Sequence, residues 1–135
     1  MKLLEGKWAL VTGSSRGIGQ QIAKGLAGRK CNVVVHARKP ESTAGTLELL
    51  ESSGVQVHSV SGDLSGREGR QAVIDGVRAG PGHVDILYNN AGVMSAWKPI
   101  WEVEDGEWLD ILRVNLLAMI ALCNAFGPGM KRRGY

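Results

Sequence analysis

The chain has 135 residues, the length of one ordinary domain, and its hydrophobic fraction of 44% and charged fraction of 21% exclude a disordered or predominantly membrane-embedded protein. Its formal charge of +3 is spread along the chain, apart from Lys131, Arg132 and Arg133, so nucleic-acid binding is not expected. Nineteen glycines are about twice the usual share of roughly 7%, which points to many tight turns or close backbone approaches.

Taken in chain order, short β-branched runs alternate with segments of helical period. Trp8 to Thr12 reads as a buried strand that runs into glycine-rich Gly13–Gly19, with a helix from there to about Leu26. Asn32 to Ala37, centred on three valines, is a second strand. Pro40 and Glu41 open a helix to about Ser52, which Gly54 ends. Val55 to Val60 forms a third strand, Ser65 to Arg78 a third helix, and Val84 to Tyr88 a fourth strand. A long helix starts near Asp105 and carries Trp108, Ile111, Leu112 and Leu116 on one face. This alternation predicts an α/β fold: a Rossmann-like, doubly wound parallel sheet with helices on both faces, ending after the fourth strand and its helix. Residues 1–135 are expected to form one domain.

Cys31 and Cys123 lie in apolar stretches without metal-ligand spacing and read as small core residues in a reducing cytoplasm. No metal site is expected from His36, His58 and His83, which are far apart and read as exposed or strand-end side chains. No secretory signal is apparent, and no uninterrupted apolar run is long enough to cross a bilayer. The nearest, Leu116 to Ala125, is bracketed by Asn115 and Asn124.

The chemistry concentrates in Thr12-Gly13-Ser14-Ser15-Arg16-Gly17-Ile18-Gly19. A dinucleotide pyrophosphate needs a strand-to-helix turn with outward amides, no side chains at the point of closest approach, and the positive end of a helix. Gly13 can make the turn, Gly17 can admit phosphates, and Gly19 can let helix and sheet pack closely. Glycine spacing alone fits an ordinary strand–turn–helix junction equally well. No Gly-Lys-Ser/Thr follows, which argues against a phosphate-loop NTPase.

The Gly-x-x-x-Gly-x-Gly spacing resembles that of classical short-chain dehydrogenases/reductases, and three further segments carry the same resemblance in the same order: Asp63-Leu64, Asn89-Asn90-Ala91-Gly92, and Asn115 within a helix. The resemblance covers the whole chain, as the N-terminal part of a family member. It implies that Gly13, Ser15, Arg16, Gly17, Ile18 and Gly19 hold a dinucleotide, that Asp63 contacts the adenine amino group and Leu64 packs on the ring, and that Asn90, Ala91 and Gly92 line the ribose. It implies a catalytic role for Asn115, interrupting its helix and holding a water in a proton relay. Ala37 occupies the place where NAD-using members commonly carry Asp. Arg38 follows it, and with Arg16 offers two guanidinium groups to the extra phosphate of NADP.

The function so implied is NADP-dependent hydride transfer on an alcohol/carbonyl substrate. The family's Ser and Tyr-x-x-x-Lys are not among these residues: position 92, four after Tyr88, is Gly, and Tyr135 is the last residue. The piece alone is therefore expected to bind cofactor weakly and not to turn over substrate. The fourth strand is expected to be an unprotected edge, and Leu116, Leu117, Ile120 and Leu122 to be exposed and associative. In family members this helix commonly lies between subunits, which implies a homodimeric or homotetrameric parent protein. A non-catalytic nucleotide sensor and a truncated product without function are the alternatives. Trp97 either touches substrate or packs its loop on the sheet, Trp108 is expected to pack, and Asp105 is expected to cap its helix in place of Glu104.

Overall fold

The structure, a computed structural model, describes residues 3–135. Four parallel strands, β1 (Trp8–Val11), β2 (Asn32–Ala37), β3 (Val57–Ser61) and β4 (Ile86–Tyr88), stand in the order β3-β2-β1-β4. That arrangement is the 3-2-1-4 part of the doubly wound order. Helices α1 (Gly17–Ala27), α2 (Ala44–Leu50) and α3 (Arg67–Ala79) connect successive strands. A long helical stretch follows β4 in three pieces: α4 (Asp105–Leu112), a wide π turn (Arg113–Leu117) and α5 (Ala118–Arg133). Short 3-10 turns at Pro40–Thr43 and Glu51–Ser53 extend α2 over the span expected from sequence.

Side chains alternate across a strand, and here both faces are buried, which is why the middle of β2 is three consecutive valines. On one face Leu10 and Val34 pack with Val60, Val73, Val77, Leu122 and Phe126, beneath α3 and α5. On the other, Ala9, Val11, Val33 and Val35 pack with Ala23, Leu26, Ala27 and Leu50, beneath α1 and α2. Among the described residues β4 pairs with β1 alone and stands at the sheet edge.

Several local expectations are corrected. Cys31 is a buried core residue as expected, with its thiol pushed up to about 11 by burial and then by the charge of Asp85. Cys123 is exposed, because the face of α5 that carries it turns away from the sheet. Helix α4 is capped by Glu104, not Asp105: the Glu107 carboxylate reaches back to the Glu104 N–H at 3.2 Å, half of a capping box. The helical stretch Asp105–Arg133 runs 29 residues with a window of mean hydropathy 1.7, so by length and composition it is apolar enough to cross a bilayer. No unbroken apolar run announces this, because Asn115 and Asn124 interrupt it. In this fold Ala118, Leu122 and Phe126 pack into the sheet core instead.

Asp85, just before β4, anchors the opposite end of the sheet from the glycine turn. It is buried, accepts from the Trp8 N–H at 3.0 Å and from Arg133 Nε at 3.1 Å, and so ties β1 to the end of α5. Burial pushes its carboxyl up, but those bonds and nearby His83 and Lys7 hold it below the ordinary range.

Candidate functional site

The C-terminal ends of β1, β2 and β3, together with the loop after β4, enclose an open cleft of about 1150 Å³. All twelve residues expected to hold a dinucleotide line it: Gly13, Ser15, Arg16, Gly17, Ile18 and Gly19 from the turn, Arg38 after β2, Asp63 and Leu64 after β3, and Asn90, Ala91 and Gly92 after β4. Residues scattered over eighty positions converge because parallel strands present all their C-terminal ends on one side.

The turn needs its glycines for separate reasons. Gly13 has φ +63°, and a Cβ on it would stand 3.0 Å from the Cα of Ala91, so the strand end and the Asn-Ala-Gly segment touch there. Gly17 has φ +59° and opens onto free space at the first residue of α1, where no acidic side chain offsets the positive helix end. Gly19 faces inward against the Gly13 carbonyl.

Thr12 holds the β4 loop against this turn. Its hydroxyl accepts from the Asn90 and Ala91 N–H groups, each at 3.0 Å, and donates to the Tyr88 carbonyl at 3.2 Å. Asn90 Nδ2 donates to the Thr12 and Gly13 carbonyls at 2.9 and 3.1 Å. The side chain of Asn90 is thus committed to shaping the turn, while its backbone faces the cleft.

At the tip of β2, Ala37 is buried and Arg38 and Lys39 are exposed along the cleft wall. Asp63 Oδ1 accepts from the Ser65 N–H at 2.9 Å and its hydroxyl at 2.7 Å. Those two bonds, with Arg38 nearby, keep its carboxyl below the ordinary carboxylate range against a small opposing burial effect. It is therefore an anion, an acceptor only, at neutral pH.

Asn115 lies in the π turn rather than in regular helix, so the expected interruption is present. Its amide pairs in both senses with one backbone unit: Oδ1 accepts from the Val93 N–H at 2.8 Å and Nδ2 donates to the Val93 carbonyl at 2.9 Å. A cavity of about 20 Å³ lined by Thr12, Asn89 and Asn115 adjoins it, large enough for one water. Lys98 and Glu107, 2.5 Å apart, tie the same loop to α4.

The sequence reading missed His36, Ser14 and Thr46. His36 is buried, not an exposed strand-end residue, and its ring bonds the Gly13 N–H and the Gly62 carbonyl, both at 3.0 Å. Ser14 Oγ accepts from the His36 N–H at 2.9 Å, and Thr46 donates to the Ser14 carbonyl at 2.8 Å. The available signal was the buried strand itself: a His between Val35 and Ala37 on a strand covered on both faces lies inside. The tryptophans after β4, by contrast, are not buried. Trp97 and Trp101 are 96% and 82% exposed, neither lining the cleft nor packing the loop, and Trp108 is exposed as well.

A parallel 3-2-1-4 sheet whose glycine turn and Asn-Asn-Ala-Gly loop meet at one cleft defines a Rossmann-like domain, and the family follows. Residues 7–135 match the short chain dehydrogenase family model, and the chain belongs to that family. It is 37% identical to gluconate 5-dehydrogenase of Gluconobacter oxydans, over 97% of this chain and 51% of that protein. It is 36% identical to the 3-oxoacyl-[acyl-carrier-protein] reductase FabG of Escherichia coli, over 96% of this chain and 51% of the reductase. The crystal structure of L-sorbose reductase from Gluconobacter frateurii with NADPH and L-sorbose superposes with a TM-score of 0.91 at 37% identity, covering 98% of this chain and 51% of that one. A metagenomic short-chain oxidoreductase in complex with NADP gives 0.85 at 38% identity, covering 94% and 57%. The chain spans about half the length of these relatives.

Proposed function

We propose that residues 1–135 form the cofactor-binding part of an NADP-dependent oxidoreductase that interconverts alcohol and carbonyl groups on a small molecule. The observation that carries this reading is the pairing of Arg16 and Arg38 on the wall of one cleft with Ala37, which brings no carboxylate to the ribose position. A dianionic phosphate there meets two guanidinium donors and, at position 37, no carboxylate to oppose it. The relatives solved with NADPH or NADP support the choice.

The residues fit such a ligand. The turn from Gly13 to Gly19, with Ser15 and Ile18 between the glycines, offers backbone amides and the α1 N-terminus to the pyrophosphate. Asp63 is the acceptor for the adenine amino group and Leu64 is the apolar wall beside it. Asn90, Ala91 and Gly92 pass the ribose as backbone. When bound, the cofactor supplies or accepts a hydride. Asn115 fixes Val93, and with it the loop that closes the cleft, and stands beside the one-water cavity. These residues contain no Tyr-x-x-x-Lys to move the substrate proton, so the 135 residues alone bind cofactor without turnover.

Fluorescence titration with NADPH and NADH tests the reading. NADPH is expected to bind at least about tenfold more tightly, the equivalent of one charge-assisted hydrogen bond. Equal affinities, or a preference for NADH, overturn it.

A further inference from the structure

His36 is the one buried histidine of the chain's described residues, and it is placed where two strand ends meet the cofactor cleft. Strand β2 lies between β1 and β3, so its last residues can reach both neighbours' tips. Four bonds converge on this one residue. Its backbone N–H donates to Ser14 Oγ at 2.9 Å and its carbonyl accepts from the Ser14 N–H at 2.9 Å. Its ring Nδ1 accepts from the Gly13 N–H at 3.0 Å, and Nε2 lies 3.0 Å from the Gly62 carbonyl. A backbone N–H only donates and a carbonyl only accepts, so the partners select the tautomer: Nδ1 bare, Nε2 protonated.

We propose that neutral His36 is a positioning residue for cofactor binding, a clamp that holds Gly13 and Gly62 in register and lets go when Nδ1 takes a proton. The inference rests on the reading of the cleft as a dinucleotide site. Protonation sets an N–H against the N–H of Gly13, two donors facing each other. The ring must then swing out or the turn must open. Either change moves Gly13, whose carbonyl packs under Gly19 and accepts from Asn90, so the disturbance passes directly to the phosphate-binding turn. Burial holds the imidazole below its ordinary value, opposed by the Gly62 carbonyl and by the charge of Asp63.

Of the charged groups, Asp63 after β3 acts on His36 directly, while Arg38 and Lys39 after β2 and Arg16 on the glycine turn line the same cleft, and Glu41 lies on the 3-10 turn that follows β2. A phosphate bound at Arg16 and Arg38 would by itself attract an imidazolium. That effect tightens binding in acid, opposite in sign to the clamp, so the direction of the pH dependence separates them. The cofactor's own phosphate titrates in the same range and acts equally on every variant.

The test is NADPH affinity from pH 8 to pH 5.5 for the wild type, His36→Asn and His36→Leu. Asn places a non-titrating oxygen where Nδ1 stands, while Leu removes the acceptor. The wild type is expected to lose affinity relative to His36→Asn as pH falls, by up to about tenfold per pH unit once the imidazole titrates. His36→Leu is expected to bind weakly at every pH. Superposed wild-type and Asn profiles, or tighter wild-type binding in acid, overturn the clamp while leaving the cofactor reading intact. Absence of NADPH binding at pH 8 overturns the cofactor reading instead. In that event the Gly13 and Ser14 amide resonances of the ligand-free chain decide. Shifts that titrate in the wild type and not in His36→Asn support the clamp, and flat shifts in both refute it.

Discussion

A Cβ built on Gly19 would lie 2.3 Å from the Gly13 carbonyl oxygen and 2.5 Å from Asn90 Nδ2, with backbone on one side and a doubly bonded amide on the other. Neither can yield without opening the turn. Gly19→Ala is therefore expected to cost about 2 kcal/mol of stability, as overpacking of a rigid site does, and to abolish cofactor binding. Urea denaturation and NADPH titration measure the two effects, and unchanged binding would contradict the geometry. Gly17 has open space beside it, so a side chain there acts through its positive φ and through the room it takes from the ligand. Charge reversal at the tip of β2 is the complementary experiment. Ala37→Asp with Arg38→Ala removes one guanidinium and adds a repelling carboxylate, and is expected to reverse the preference from NADPH to NADH by roughly 10- to 100-fold, one to two charge-assisted contacts. Much of this was legible in the sequence, because glycine at fixed offsets and arginine beside a missing acid are statements about single positions. What was not legible is the bonding partner. Nothing in the order of residues says that His36 faces Gly13 and Gly62, since that contact is made by the parallel register of β2 with β1 and β3.

Strands and helices were legible from period and punctuation, and the departures lie at their ends and breaks. Strand β4 is three residues where five were expected, although the Asp85 N–H still donates to the Trp8 carbonyl at 2.8 Å, so pairing with β1 begins just before the strand proper. The helix after it is broken by a π turn, which no hydrophobic period announces; only the polar Asn115 in an apolar stretch marks the place. Asn115→Ala removes both bonds to Val93. Because the site is exposed, about 1 kcal/mol or less of stability is expected to go with it. The larger consequence is local: the loop from Val93 to Trp101 loses its tie, and faster amide exchange there with unchanged protection in β1 and β2 is the expected signature. Uniform loss of protection would instead make Asn115 a general stabiliser. At the far end, Asp85→Ala frees β1 from α5 and leaves the Arg133 charge without its partner, for an expected loss of about 2 kcal/mol in thermal or urea unfolding. The pH dependence has a definite sign. Asp85 is held below its ordinary pKa in the fold, so its contribution is complete above about pH 4 and fades as pH falls through the folded value.

At the scale of the whole molecule the imbalance is between a well-covered sheet and a poorly covered helix. Only 17% of the most apolar window of Asp105–Arg133 is buried, and Leu109, Leu112, Leu116, Leu117, Met119 and Ile120 are exposed along it. The strip differs from isolated surface leucines because it is continuous over several turns and stands beside Trp108. Leu122, expected in this strip, is instead buried against the sheet, so the seam divides the helix lengthwise. A face of that kind in water lowers its free energy by covering itself, at roughly 25 cal/mol for each Å² removed. Residues 1–135 in isolation are accordingly expected to self-associate, with a sedimentation profile that shifts with concentration. Leu116→Glu with Ile120→Lys should return them to a monomer, because both side chains point away from the core and their exchange for charge leaves the sheet packing untouched. The control is the unfolding transition: if the double variant stays monomeric and melts where the parent melts, the strip is an interface. If the parent is already monomeric at high micromolar concentration, the exposed leucines are tolerated singly and the associative reading of this face is wrong.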